Sequence, residues 1–236
     1  MKKSLSILAT IFALAACAPG ADQYASMSDE AIFERAKSRI QDENFKAAAM
    51  DFEALETHHP YSKFTARAQL LGGYANFRAD KFKEAADLFE KYIKFQPSSS
   101  EITYATYMAA LSNFAQMRRI ERDQRETAAA ASQMERIVRE WPKSEYAADI
   151  APKLTLARAT LAAKYMRTGA ELSRARNFLA ALNYYQIVIT KFRDTPHAPE
   201  AYFRAAEIFR IVGSDVEAEK LFATLREKFP ASEFAQ

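Results

Sequence analysis

The side chains in this chain that could do covalent or metal chemistry are few and far apart: one thiol, Cys17, and three imidazoles, His58, His59 and His197. Neighbouring residues on a helix diverge, since only positions three or four apart share a face. His58 and His59 therefore cannot offer a metal two ligands from one side, and they read as polar residues at a helix end. The carboxylates are scattered as on solvated helix faces, with no Gly-rich phosphate loop, nucleophile elbow or zinc-ligand spacing among them. Neither an enzyme nor a metal or diffusible cofactor is expected. Charge removes a further class. The formal charge is +3, but Lys2 and Lys3 lie in a segment that processing would remove, which leaves basic and acidic residues level to within one. Nothing in that balance calls for a nucleic acid partner.

Cys17 sits in a more telling place. Lys2-Lys3, an apolar run from Leu5 to Ala16, and small residues before the Cys form a secretory signal peptide. Leu14-Ala15-Ala16-Cys17 matches the bacterial lipoprotein box, in which the thiol is acylated and the Cys becomes the first mature residue. With no second Cys, a disulfide is excluded. Each buried methylene contributes about 0.8 kcal/mol, so several acyl chains hold a protein on a membrane without a spanning helix. No later apolar run reaches the roughly 20 residues that such a helix needs. Ala18 after the Cys, in place of Asp, favours the outer membrane, and residues 18–28, with Pro19 and Gly20, read as a tether.

The remaining chain is organised by a recurring joint: an apolar helical run, Pro, a Ser or Thr, then an aromatic residue near an Ala. It occurs as His59-Pro60-Tyr61-Ser62-Lys63-Phe64, Phe95-Gln96-Pro97-Ser98-Ser99, Trp141-Pro142-Lys143-Ser144-Glu145-Tyr146 and Phe229-Pro230-Ala231-Ser232-Glu233-Phe234, with a looser copy at Phe192-Arg193-Asp194-Thr195-Pro196. Twelve residues before each stop stands an alanine: Ala48, Ala85, Ala130, Ala181 and Ala218. Four residues on come Phe52, Phe89, Met134, Tyr185 and Phe222, and seven on come Leu55, Tyr92, Ile137, Val188 and Leu225. That spacing puts one small and two large residues on a single helix face. Small residues also stand twelve before three of these alanines, at Ala36, Gly73 and Ala206.

Pro stops each helix because it lacks an amide hydrogen and clashes with the preceding turn. Ser62, Ser99 or Ser100, Ser144, Thr195 and Ser232 are expected to cap the next helix. The pattern predicts antiparallel pairs over 28–41 with 44–58, 64–79 with 81–95, 101–117 with 124–140, 147–174 with 177–192, and 197–211 with 215–228. The five alanines are 37, 45, 51 and 37 residues apart. The third pair thus carries an insertion at 117–124, and the fourth a lengthened first helix with Pro152 near its opening turn. The whole resembles the tetratricopeptide repeat: an all-α solenoid of about five helix pairs, whose groove is lined mainly by the first helix of each pair and holds peptides or partner proteins. The expected organisation is a signal peptide over 1–16, a lipidated tether over 17–28 and a five-repeat domain over 29–236, with halves at about 29–120 and 121–236.

On the first helices, Tyr74, Phe77, Tyr104 and Tyr107 either pack between helices or line the groove, Tyr being the aromatic suited to a half-wet surface. Arg118, Arg119 and Arg122, in the insertion, either meet an acidic partner patch or form a solvated turn.

Local matches through most of the chain narrow the resemblance. They include His59-Pro60-Tyr61-Ser62 followed by Ala68-Gln69-Leu70, Arg122-Asp123-Gln124 with Thr127, Trp141 to Ala147, and Phe178-Leu179-Ala180-Ala181-Leu182-Asn183. In this order, behind a lipoprotein box, they resemble the BamD (ComL) lipoprotein family of the outer-membrane β-barrel assembly machinery, and its alphaproteobacterial branch in particular. The resemblance implies a non-enzymatic, lipid-anchored scaffold on the periplasmic face of the outer membrane, with no cofactor beyond the covalent lipid. Its partners would be the POTRA region of the barrel-inserting subunit, other assembly lipoproteins and unfolded outer-membrane proteins. Asn183 and Tyr184 fall where the family contacts the inserting subunit, Tyr184 standing where Arg is common. The run Tyr165 to Leu172 departs from the family as well. The competing expectation is another periplasmic repeat lipoprotein, serving pilus or cell-envelope assembly.

Overall fold

The computed structural model describes residues 23–236, so the signal peptide and Cys17 lie outside the described residues. Those residues form ten α-helices: α1 (Asp29–Gln41), α2 (Phe45–His58), α3 (Thr65–Arg78), α4 (Phe82–Phe95), α5 (Ile102–Ala115), α6 (Arg125–Glu140), α7 (Glu145–Arg174), α8 (Phe178–Lys191), α9 (Ala198–Ile211) and α10 (Asp215–Lys228), with a short 3₁₀ turn at Glu233–Ala235. Each helix packs on the next, giving five antiparallel pairs stacked in a tetratricopeptide-like solenoid.

The joints between pairs share one hydrogen-bond pattern. The amide of Ser62 donates to the carbonyl of His59, and the same three-residue step joins Ser99 to Gln96, Ser144 to Trp141, Thr195 to Phe192 and Ser232 to Phe229. Pro60, Pro97, Pro142 and Pro230 occupy the second position of these turns, where their fixed φ is already correct. A second turn follows at once, with Thr65 donating to Ser62 and Ile102 to Ser99. At these two joints this moves the helix start three residues downstream, so Ser62 and Ser99 do not cap as expected and accept from the amide two residues ahead, as in ST turns. Ser232 does cap the 3₁₀ turn, accepting from the Phe234 amide, and Ser144 is the N-cap residue of α7, but its hydroxyl, like that of Thr195, donates back to the joint, to Trp141 and Phe192.

Inside four of the pairs, the first helix ends in a Schellman turn. The amide of Glu43 donates to Ile40 and that of Asn44 to Arg39; Asp80 and Lys81, Arg176 and Asn177, and Gly213 and Ser214 repeat this. The turn needs a left-handed residue, and Glu43, Asp80, Arg176 and Gly213 have φ of 55°, 59°, 59° and 79°.

All five register alanines are fully buried, as are Phe52, Phe89, Met134 and Tyr185 four residues on, with Phe222 half-buried at the open end. Burying each such large side chain contributes about 1.5–3 kcal/mol. The register also explains two glycines. A Cβ on Gly73 would lie 2.8 Å from the Phe89 ring, and one on Gly169 would lie 2.7 Å from the Tyr185 ring. Gly169, twelve residues before Ala181, joins Ala36, Gly73 and Ala206 as a fourth small residue at this spacing.

The insertion expected at 117–124 is the link between α5 and α6. Gln124 is 8% exposed, and its amide donates to the carbonyls of Arg119, Arg122 and Arg118 at 2.9, 3.3 and 3.4 Å, while its oxygen accepts from Thr127 at 2.8 Å. The extra length of the fourth pair is the 30-residue α7. Pro152 is its eighth residue, deeper than the opening turn, so the helix loses one interior hydrogen bond there.

The expected tether over 18–28 is shorter than that, because its last residues belong to the fold. Tyr24 donates to Asp51 at 2.9 Å, Arg35 stacks over the Tyr24 ring, and Met27 packs on the first pair with its carbonyl 3.0 Å from His59 Nε2. Asp51 is fully buried and also receives Arg35 and Arg39 at 2.9 and 2.8 Å. A carboxylate there is tenable only with such partners.

Two substitutions check this account. Gly169→Ala should destabilise the chain by on the order of 1 kcal/mol, because overpacking against Tyr185 outweighs the better helix propensity; a rise in the urea midpoint would refute the close contact. Gln124→Leu should cost about 1–3 kcal/mol by stripping three carbonyls of their donor, with faster amide exchange confined to the 116–124 link.

Candidate peptide groove

Consecutive first helices touch: α3 meets α5, α5 meets α7 and α7 meets α9, whereas the second helices do not come together to that extent. In a curved stack the closer-packed layer is the inner one, so the first helices form the concave wall. At its N-terminal end a cavity of about 480 Å³ opens between α1 and α3, lined by Phe33, Ile40, Phe64 and Leu71 with Lys37 and Arg67 at the rim. Lys37 is paired with Glu34, and Arg67 with Glu101 at the start of α5.

The tyrosines follow. Tyr104 stands edge-on to Phe89 at 6.3 Å and faces Tyr146 of α7 at the same distance. Tyr107 stacks on Tyr146 at 4.6 Å and donates to Asp149 at 3.0 Å. Tyr74 lies edge-on to Phe45, its hydroxyl accepting from Arg78 at 2.7 Å. Phe77 is apart from these, packed on Phe82 within its own pair. All four are half-buried: they pack between helices and still meet solvent.

The ring contact between Tyr107 and Tyr146 is itself part of the repeat. Three before Ala36, Ala110 and Ala206, all fully buried on first helices, a ring meets the aromatic two after Ser62, Ser144 and Ser232: Phe33 stacks on Phe64 at 4.6 Å, Tyr107 on Tyr146, and Phe203 meets Phe234 at 5.6 Å. Phe33, Phe64 and Tyr146 were missed as site residues, although counting from Ala36, Ser62 and Ser144 would have found them.

The other candidates lie elsewhere. Arg118, Arg119 and Arg122 are exposed on the α5–α6 link, with Arg119 loosely paired to Glu121 at 3.6 Å. Glu121 is held by Arg167 of α7 at 2.7 Å, which ties the link to the next pair. Asn183 is exposed on α8, and the half-buried Tyr184 lies 6.2 Å from the Tyr165 ring. Since α8 is a second helix, these two belong to the outer layer and share no surface with the tyrosine wall. His58 ends α2, His59 is its C-cap and His197 is the N-cap of α9.

Burial pushes the hydroxyl of Tyr104 up to about 12, with neighbouring tyrosines and Glu101 adding to it; burial and then the bond to Asp149 do the same for Tyr107. The wall therefore presents neutral phenols at physiological pH. Unfolded tyrosine ionises near 10, so the stability these two lend is complete below about pH 10 and is lost as pH rises toward 12. Replacing both with Phe should flatten the fall in thermal midpoint over that window relative to the parent chain; an unchanged slope would contradict the burial of these hydroxyls.

Comparison with known proteins places most of the helical stack in one family. The model of the outer membrane lipoprotein family YfiO matches residues 25–221. The outer membrane protein assembly factor BamD of Caulobacter vibrioides is 31% identical over 201 residues, covering 85% of this chain and 66% of that one. The corresponding factor of Rickettsia prowazekii is 30% identical over 195 residues, covering 83% and 78%. Among solved structures, MamA aligns over 83% of this chain and 95% of its own with a TM-score of 0.37 and 16% identity, and the pilF protein of Pseudomonas aeruginosa over 89% and 80% with 0.39 and 13%. With the family match running from before α1 into α10, the chain belongs to the YfiO outer membrane lipoprotein family, in which its relatives are BamD assembly factors.

Proposed function

We propose that the chain is a lipid-anchored scaffold of outer-membrane β-barrel assembly, held by acylated Cys17 on the periplasmic face of the outer membrane. The observation that carries this reading is the family match across residues 25–221, together with relatives named as outer membrane protein assembly factors. The geometry is suited to the task. An unpaired barrel strand exposes backbone groups and alternating aromatic side chains, and it aggregates unless it is held. A rigid concave wall offers it apolar rings and phenolic hydroxyls without closing around it, so capture is reversible. In this reading the cavity at Phe33 and Phe64 and the wall of Tyr74, Tyr104, Tyr107 and Tyr146 receive unfolded segments. The outer residues Asn183 and Tyr184, with the Arg118–Arg122 link, face the POTRA region of the barrel-inserting subunit and the other assembly lipoproteins. Separate faces allow both to be engaged at once.

Three measurements test it. Cys17→Ala should move the protein from the membrane fraction to the soluble periplasm, and persistent tight association would sink the anchor. Pull-down from detergent-solubilised membranes should recover the barrel-inserting subunit, and depletion of the chain should lower outer-membrane protein levels. Recovery of pilus components in its place would transfer the protein to that other assembly task.

A further inference from the structure

The register of the second helices carries one polar exception. Four residues past the buried alanines stand Phe52, Phe89, Met134, Tyr185 and Phe222, so only the fourth pair places a hydroxyl there. Tyr185 is 1% exposed, yet its hydroxyl has no hydrogen-bond partner among the described residues, where every side-chain oxygen or nitrogen fully shut away from solvent has one. The sliver of surface it keeps is therefore at the hydroxyl. It opens into a pocket of about 330 Å³ whose sides are the inner-wall helices α7 and α9 and whose floor is Tyr185. Gly169 fixes the aim: with no Cβ in the way, the ring lies against the α7 backbone and has no room to turn.

The groups around that hydroxyl are unevenly committed. Arg204 of α9 is engaged with Glu200 at 3.3 Å and Glu207 at 2.9 Å, so these three neutralise one another but for a single negative charge. Arg174 of α7 gives its Nε to the carbonyl of Ala170 at 3.3 Å and leaves its terminal amino groups without a carboxylate. Ser173 beside it has no partner for its hydroxyl among the described residues. The unused capacity of the pocket is thus a set of donors, one of them cationic. Burial raises the Tyr185 hydroxyl above its ordinary value against the pull of Arg204, with Glu200 and Glu207 adding to the rise, so the phenol stays protonated and able to donate.

We infer that the pocket binds a carboxylate, carried by an acidic side chain of an extended partner segment lying along the inner wall. The guanidinium of Arg174 supplies the charge and the Tyr185 hydroxyl a preset donor, an arrangement that favours a carboxylate over its amide because the amide brings no charge and presents NH2 donors in place of a second acceptor oxygen. A side chain suits the site better than a chain end, since the wall continues past α7 onto α5 and a bound segment runs on with it. The inference stands whether or not the chain serves barrel assembly.

The test uses the purified full-length chain in detergent and three labelled peptides read by fluorescence anisotropy: acetyl-Gly-Val-Glu-Val-Gly-amide, its Gln counterpart, and the Gln peptide with a free terminal carboxylate. The Glu peptide should bind about tenfold more tightly than the capped Gln peptide, as loss of a charge-assisted bond implies. Arg174→Gln, at an exposed position, should bring the two to within about twofold. Tyr185→Phe, which keeps the ring, should weaken the Glu peptide alone, by about threefold to tenfold. No binding of the Glu peptide, equal binding of Glu and capped Gln peptides, or indifference to both substitutions overturns the assignment. Preference for the free chain end overturns its attribution to a side chain.

Discussion

How closely two helix backbones may approach governs this molecule. At the crossing of each pair an alanine on the second helix leaves room for the first, and a glycine or alanine on the first helix leaves room for the large side chain one turn further along the second. Gly73 under Phe89 and Gly169 under Tyr185 show how little slack there is, since even a methyl group would fall within 3.0 Å of a ring. Interiors packed to crystal-like density transmit such limits directly to the backbone. Once the crossing is fixed, so are the turn that joins the pair, the joint to the next pair and the curvature of the stack.

Curvature is what turns repetition into a site. The first helices crowd together on the inner wall, and at three of the joints a ring on the first helix meets a ring carried just after the joint. Phe33 with Phe64 and Tyr107 with Tyr146 are at once the contacts that stack the pairs and the surface a partner would touch. Packing and binding are therefore not alternatives for the tyrosines. A half-buried phenol gives most of its ring to the stack and leaves an edge at the groove. In the proposed function the price is specificity: such a wall would discriminate little among aromatic-rich segments and would leave discrimination to polar groups.

The parts of the fold that follow from period and stereochemistry were legible in the sequence. Pro at the turn, Ala in the register and the two long spacings located all five pairs, the link at 117–124 and the long α7. What escaped depended on where the backbone goes after the Pro. Ser62 and Ser99 look like helix caps, but a second turn carries the chain past them before the helix starts. Tyr24 and Met27 follow a Pro- and Gly-containing stretch and look like linker, yet the buried Asp51 twenty-seven residues away claims the Tyr24 hydroxyl. Local patterns cannot report such a partner. The site was legible only in outline, since the pattern placed tyrosines on first helices without telling which rings would face each other.

Ionic contacts add a further layer to this one-dimensional architecture. In a stack where each pair touches only its neighbours, stability is roughly a sum of pair and interface contributions, and an insertion weakens whichever interface it enlarges. Here the enlarged interface is tied across. Arg167 of α7 reaches Glu121 in the link, and Arg158 of the same helix bridges Glu135 of α6 to Asp194 in the joint after α8. Exposed pairs of this kind are individually worth little, on the order of 0–1 kcal/mol, but Arg158 is mostly shielded and binds two carboxylates and the carbonyl of Lys191. The long helix thus joins the third, fourth and fifth units at the point where the repeat spacing is least regular. The inner and outer faces of the C-terminal half consequently rest on one rigid element, against which Tyr185 packs at Gly169 and Tyr184 at Tyr165, and a load placed on either face is carried by the same helix.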